Sequence, residues 1–276
     1  NFTAGGPTDV EGRLAARYLQ KHLAGNPTIV VRNMLGAGGA VAINWLGEIA
    51  PPDGLNVGFF TSLASYAAVA APSGQNWTDV VSRTAEGTIV GNPNAPIKVV
   101  EYGSRLCPVC GAFARDGFES LMNYVKSGKV SFEYREFLVH GAPDVPPALL
   151  GNCADKAAFF PILEQMYQSQ EGFLNKLQAM TPAQQQQLQT AKPVDAIKMM
   201  AQQMGLIDFA KQRGIPEAKA MQCLGDMSQI DRWTKQTQDK GADGTVTGTP
   251  TLLINGKKTD VSSWGQFEPL LKAAGA

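Results

Sequence analysis

Two rhythms of apolar and polar positions organise this chain. Ile97-Lys98-Val99-Val100-Glu101-Tyr102 is mostly apolar and β-branched, which predicts a buried strand. Shortly after it, Gly111-Ala112-Phe113-Ala114-Arg115-Asp116-Gly117-Phe118 predicts the start of a helix. Phe159, Phe160, Ile162, Leu163 and Met166 recur at helical spacing and predict a core-facing stripe. They lie in a long stretch, from about Pro146 to Asp239, rich in Leu, Met, Ala and Gln. Its Gln184–Gln187 run sits beside Leu188, Met199 and Met200 and reads as a polar helix face, not a disordered tract.

The first 63 residues follow a different order, strand and helix in alternation, which predicts a small parallel βαβαβ block. Thr8 or Asp9 is placed to cap a helix running through Glu11 to Leu19. Thr28-Ile29-Val30-Val31-Arg32 predicts a buried strand, and Leu55-Asn56-Val57-Gly58-Phe59-Phe60 another. Between them lies a helix containing Ile43, Trp45 and Ile49, stopped by Pro51-Pro52-Asp53-Gly54. Two glycine loops, Ala4-Gly5-Gly6-Pro7-Thr8-Asp9 and Gly36-Ala37-Gly38-Gly39, each precede a helix. Both aim backbone N–H groups at one sheet edge, a place for a carboxylate or phosphate, unless they are simply tight turns. The second loop is no dinucleotide fingerprint, because Val41 stands where close packing needs Gly or Ala. Residues 64–76 are small and without useful periodicity, as in a linker, and a second block runs over 77–276.

Composition narrows the function classes. Of 276 residues 44% are hydrophobic and 17% charged, which fits a folded soluble protein. The 24 basic and 24 acidic residues balance to a net charge of +0, so no nucleic-acid or anionic-membrane surface is indicated. No apolar run approaches the length of a membrane span. Asn1 opens without a start methionine or basic leader, so the sequence reads as a mature or trimmed chain.

The chemistry concentrates at Cys107-Pro108-Val109-Cys110, between the strand and the helix. A sulfur at a helix N-terminus faces free N–H groups and the positive end of the dipole, which favour a thiolate. Thiolates carry thiol–disulfide exchange through a mixed disulfide. Cys107, nearer the helix end, is the expected attacking thiolate and Cys110 the resolving thiol, while Pro108 fits the first helical turn. Half of a zinc knuckle, or two unreactive core thiols, are the competing readings. No second Cys pair or His cluster completes a metal site, so no metal is expected. Cys153 and Cys223 stand alone in helical segments; they are either small buried hydrophobes or a structural disulfide of an oxidising compartment.

From Trp77 onward the chain resembles DsbA-like thioredoxin-fold oxidoreductases. The resemblance rests on Asn92-Pro93-Asn94-Ala95-Pro96 with the strand that follows, on the Cys107 motif, and on Val246-Thr247-Gly248-Thr249-Pro250-Thr251 with the apolar run after it. It implies an α/β thioredoxin fold with a helical insertion over about 146–239. It implies also a cis Thr249–Pro250 peptide facing the disulfide, with Gly248 and Thr249 offering backbone to a substrate strand beside Pro108 and Val109. Glu101 matches the buried carboxylate of that family, a proton acceptor for Cys110; the other reading is a surface glutamate. Val109 replaces the His of many disulfide-forming relatives and predicts a weaker oxidant, with Arg105 a nearby cation in partial compensation. His140, a lone histidine, is given no catalytic role.

The first block resembles the N-terminal lobe of tripartite tricarboxylate transporter receptors, a periplasmic-binding-protein type. Phe2-Thr3-Ala4-Gly5-Gly6-Pro7-Thr8-Asp9, Asn33-Met34-Leu35-Gly36-Ala37-Gly38-Gly39 and Pro52-Asp53-Gly54 carry that resemblance. It implies Thr8, Asp9, Ala37 and Gly38 as carboxylate-binding positions. It covers only about 63 residues and lacks that family's second lobe, so the block reads as a truncated or fused remnant. The leading expectation is a thiol–disulfide oxidoreductase that is periplasmic or otherwise extracytoplasmic. It would act on cysteine-containing secreted polypeptides with an unidentified redox partner, its own disulfide serving in place of a cofactor. The alternative is a carboxylate-binding receptor fragment with an appended redox domain.

Overall fold

A computed structural model of the chain describes residues 7–23, 25, 27–33 and 76–276. The chain divides into two compact units, Asn1–Gln75 and Asn76–Ala276.

In the first unit, helix α1 spans Pro7–His22. Pro7 opens it, because the first helical position lacks an intrahelical partner for its N–H in any case. Thr8 and Asp9 therefore lie inside the helix and do not cap it, which corrects the expected start. The expected buried strand over Thr28–Arg32 is also corrected: residues 27–33 form no ladder and Val30 is 83% exposed. β-Branched residues favour a strand only where a neighbouring backbone and a packing face are supplied. The remaining expectations for residues 34–75, including Ala37 and Gly38, fall outside the described residues.

The second unit is built on a six-stranded mixed sheet. Its strands are β1 (Val81–Arg83), β2 (Thr88–Gly91), β3 (Ile97–Gly103), β4 (Val130–Glu136), β5 (Thr251–Ile254) and β6 (Lys257–Lys258). They lie in the order β1-β2-β4-β3-β5-β6. β3 is parallel to β4 and antiparallel to β5, so it is flanked on both edges. A parallel pair needs a crossover, here supplied by helix α2 (Pro108–Lys126). α2 buries Cys110, Phe113, Ala114, Gly117, Phe118, Leu121 and Val125, the three- and four-residue spacing of one helical face. Gly117 is obligatory there, since a Cβ would stand 2.2 Å from the Trp264 ring. That Trp opens helix α10 (Trp264–Ala273), whose Trp264 and Phe267 rings meet Phe113 edge-on at 5.8 and 5.7 Å.

Between β4 and β5 the chain leaves the sheet for a helical insertion. Its helices are α3 (Val145–Asn152), α4 (Phe159–Gln178), α5 (Pro182–Thr190), α6 (Pro193–Met204), α7 (Leu206–Lys211), α8 (Glu217–Cys223) and α9 (Met227–Ala242). Phe159, Phe160, Ile162, Leu163 and Met166 are all buried on α4. The stripe divides between two cores: Phe159, Phe160 and Leu163 join the sheet core, Ile162 and Met166 the core of the insertion. α4 is thus the mechanical link between sheet and insertion. The Gln-rich α5 buries no residue and is held by a capping box at Thr181 and Gln184. A disulfide joins Cys153, just after α3, to Cys223 at the end of α8, across 70 residues of sequence.

Candidate active site

Helix α2 begins at Pro108, which places Cys107 at its N-cap with extended backbone (φ −73°, ψ 118°). The first helical bond runs from Gly111 N–H to the Cys107 carbonyl at 3.0 Å. This leaves the N–H groups of Val109 and Cys110 pointing toward the Cys107 sulfur. The Cys107 thiol donates to the Thr249 carbonyl at 3.2 Å, immediately before a cis Thr249–Pro250 peptide. Pro250 is buried, and Gly248 accepts from the Thr251 hydroxyl at 2.7 Å. Pro108 and Val109 are exposed, Val109 at 47%, so the surface beside Cys107 is formed by these two side chains.

The two thiols differ in acidity for physical reasons. The Cys107 pKa is lowered to about 5, chiefly because the Cys110 thiol donates to its thiolate. Partial burial opposes this, while the N–H groups of Cys110 and Val109 assist it. Cys110 is fully buried, and burial pushes its thiol well above the ordinary range, reinforced by the same bond to Cys107 and by the charge of Glu101.

Glu101 lies in β3, with Tyr134 of β4 and Leu252 of β5 as its ladder partners. It is 3% exposed and its Oε1 has no hydrogen-bond partner among the described residues. Burial raises its pKa to about 8, with further contributions from the charges of Cys107 and Glu136. A carboxyl held near neutrality beside a dithiol can take and return a proton at physiological pH. Nearby, the Tyr134 and Tyr167 hydroxyls share a buried hydrogen bond of 3.0 Å.

Arg105 corrects a sequence expectation. It is 1% exposed and its Nε and Nη2 donate to Glu136 Oε1 at 2.9 and 2.6 Å. Its guanidinium stacks on Phe159 at 5.1 Å and Tyr134 at 5.6 Å. Asn152 Nδ2 donates to the same Glu136 oxygen at 2.9 Å. The cation is therefore neutralised by Glu136 inside the fold and does not compensate for Val109. The turn between β3 and α2 has a second anchor: Ser104 donates to buried Asp144 at 2.7 Å and accepts from Leu106 N–H at 3.1 Å. His140 contacts that same Asp144 oxygen through Nδ1 at 3.0 Å, so the lone histidine belongs to this anchor.

The structure thus brings Cys107, Cys110, Glu101, Thr249 and Pro250 together, with Pro108, Val109 and Gly248 around them. The Cys153–Cys223 pair lies in the insertion as a disulfide, and Cys107 and Cys110 are free thiols. In α1, Asp9 is 6% exposed and accepts from Arg13 Nε and Asn33 Nδ2, each at 2.9 Å, so its carboxylate is engaged within the chain. The side chain of Thr8 lies outside the described residues. Among the described residues no cluster of three His, Cys, Asp or Glu is placed to hold a metal ion, and no helix is long and apolar enough to cross a membrane.

The fold has counterparts among known proteins. A Rickettsia prowazekii protein assigned as a protein-disulfide oxidoreductase is 24% identical over 176 residues, 62% of this chain and 55% of that one. The chain spans about half the length of the curated rickettsial relatives it matches. The crystal structure of a protein-disulfide isomerase from Novosphingobium aromaticivorans superposes with a TM-score of 0.65 at 26% identity, over 70% of this chain and 100% of that one. Wolbachia pipientis α-DsbA1 shares the fold at a TM-score of 0.55 and 17% identity, over 72% of this chain and 96% of that one. The family model described as thioredoxin matches residues 83–273. With well over half of its length inside that match, the chain belongs to the thioredoxin family.

Proposed function

We propose that this protein is a thiol–disulfide oxidoreductase that exchanges its Cys107–Cys110 pair with cysteines of extracytoplasmic polypeptides. The observation that carries this reading is the asymmetry of the pair: an N-cap sulfur held as thiolate from about pH 5, one turn ahead of a buried thiol that resists ionisation.

In the oxidising direction, a substrate thiolate attacks Cys107 of the disulfide, the sulfur–sulfur bond breaks, and its electron pair leaves with Cys110. Glu101 supplies the proton that Cys110 takes up. A second substrate thiolate then attacks the substrate sulfur of the mixed disulfide and Cys107 departs as thiolate. The substrate dithiol loses two electrons and the protein disulfide gains them. Cys107, with its pKa lowered to about 5, is the better leaving group, which supports this direction. The Thr249–Pro250 loop borders the sulfur and offers backbone to an extended substrate segment. The Cys153–Cys223 disulfide supports an oxidising compartment.

Refolding of reduced ribonuclease and reduction of insulin test the proposal. The wild type should accelerate at least one, and Cys107→Ser should abolish the effect. Undiminished activity in Cys107→Ser would overturn it. No observation on the described part of the first unit favours carboxylate binding.

A further inference from the structure

Gln170 is a buried amide, 4% exposed, on α4, the helix that links the insertion to the sheet. Its Nε2 donates to two carbonyls at once, Arg105 O at 3.0 Å and Cys107 O at 2.9 Å. The Cys107 carbonyl already accepts the first helical bond from Gly111 N–H at 3.0 Å, so Gln170 fills its second lone pair. The two amide hydrogens therefore brace residues two apart, across the turn in which β3 becomes α2. A second observation points to the same contact. A Cβ on Gly111 would stand 2.5 Å from Gln170 Oε1, so the residue after Cys110 has no side chain where the carboxamide approaches α2. Glycine inside a helix is less favourable than alanine. Here that cost leaves room for Gln170.

We propose that Gln170 is a positioning residue of the Cys107 site: its amide clamps the Arg105 and Cys107 carbonyls and fixes the N-cap geometry that aims the first-turn N–H groups at the Cys107 sulfur. The inference rests on the exchange reading above and extends it, because it makes the helical insertion part of the reactive turn. Without the clamp, the Cys107 carbonyl keeps its helical bond but the turn before it can rotate. The sulfur then leaves the cone of the Val109 and Cys110 N–H groups, which contribute to stabilising its thiolate.

The test is the ultraviolet absorbance of the thiolate as a function of pH, with the glutathione redox potential and urea unfolding measured on the same samples. Gln170→Met keeps length and removes both donors; Gly111→Ala keeps Gln170 and crowds its carboxamide. Gln170→Met should raise the Cys107 pKa by about one pH unit, the weight of one hydrogen bond. It should also make the disulfide less oxidising, and Gly111→Ala should move both readings the same way by less. A purely structural role would lower the urea midpoint and leave titration and potential in place. Unchanged titration and potential in folded Gln170→Met, or in folded Gly111→Ala if the first variant does not fold, would overturn the clamp. That result would leave the exchange reading intact. A wild type showing no thiolate below pH 8 would instead overturn the exchange reading itself.

Discussion

Replacing Glu101 with Gln should stabilise the reduced protein, and by an amount that grows with pH. Glu101 is buried in the central strand with one oxygen unpartnered among the described residues, and its pKa stands at about 8 against an ordinary 4.5. Below pH 4.5 the folded and unfolded chains both hold the proton and the full stability is present. Above it the unfolded chain releases the proton while native Glu101 retains it up to about pH 8, so stability falls through that window. The whole gap, at about 1.4 kcal/mol per pKa unit, amounts to about 5 kcal/mol, of which about 4 kcal/mol accrues between pH 5 and 8.5. Glutamine cannot ionise, so its variant lacks this loss. Urea unfolding of reduced wild type and Glu101→Gln at pH 5 and pH 8.5 reads the difference of differences and cancels any constant packing offset. A relative gain of about 4 kcal/mol by the variant at pH 8.5 is expected. The effect should be smaller in the disulfide form, where the Cys107 charge that helps to raise the Glu101 pKa is gone. Stability profiles that run parallel within about 1 kcal/mol would refute the assignment of a near-neutral buried carboxyl.

Three further outcomes follow from the same geometry. Arg105→Met strands Glu136 in the core and should cost about 3–5 kcal/mol at neutral pH by urea unfolding; a loss below about 1 kcal/mol would contradict the buried pair. Separating Cys153 from Cys223 by Cys153→Ser frees a 70-residue loop and should cost about 4 kcal/mol in the chain-entropy treatment. The midpoint of its denaturant curve checks this. Val109→His puts an imidazole on the exposed first turn beside Cys107 and should make the disulfide more oxidising, by about 30 mV for each 1.4 kcal/mol of added thiolate stabilisation. An unchanged or lower potential in glutathione titration would count against it.

The site was legible where chemistry and periodicity coincide. The apolar run through Tyr102 and the helix after Cys110 bracket the motif, and the structure puts β3 and α2 there. The resemblance implies a buried carboxylate at Glu101, within a strand of apolar residues, and β3 lies between β4 and β5 with Glu101 buried. What the sequence withholds is direction. Arg105 is two residues from Cys107 in sequence, yet its side chain is bound to Glu136 on β4, a partner 31 residues on. Gln170 looks like one more glutamine of a Gln-rich stretch, and only the packing of α4 against the turn shows its amide on two carbonyls. The hairpin of β1 and β2 leaves no mark in the sequence, because three- and four-residue strands are too short to display an alternation. Thr28–Arg32 differs in the other direction: β-branched residues state a preference that pairing must satisfy, and residues 27–33 join no strand among the described residues.

The division of labour between the two thiols is the central claim, and trapping tests it most directly. A peptide disulfide is offered at pH 6 to reduced Cys110→Ser and to reduced Cys107→Ser, and mixed disulfides are located by mass spectrometry. Cys110→Ser should accumulate the adduct on Cys107, with one peptide half released as thiol, while Cys107→Ser should give none, because Cys110 is buried and stays protonated. An adduct on Cys110 at a comparable rate, or none on Cys107, would contradict it.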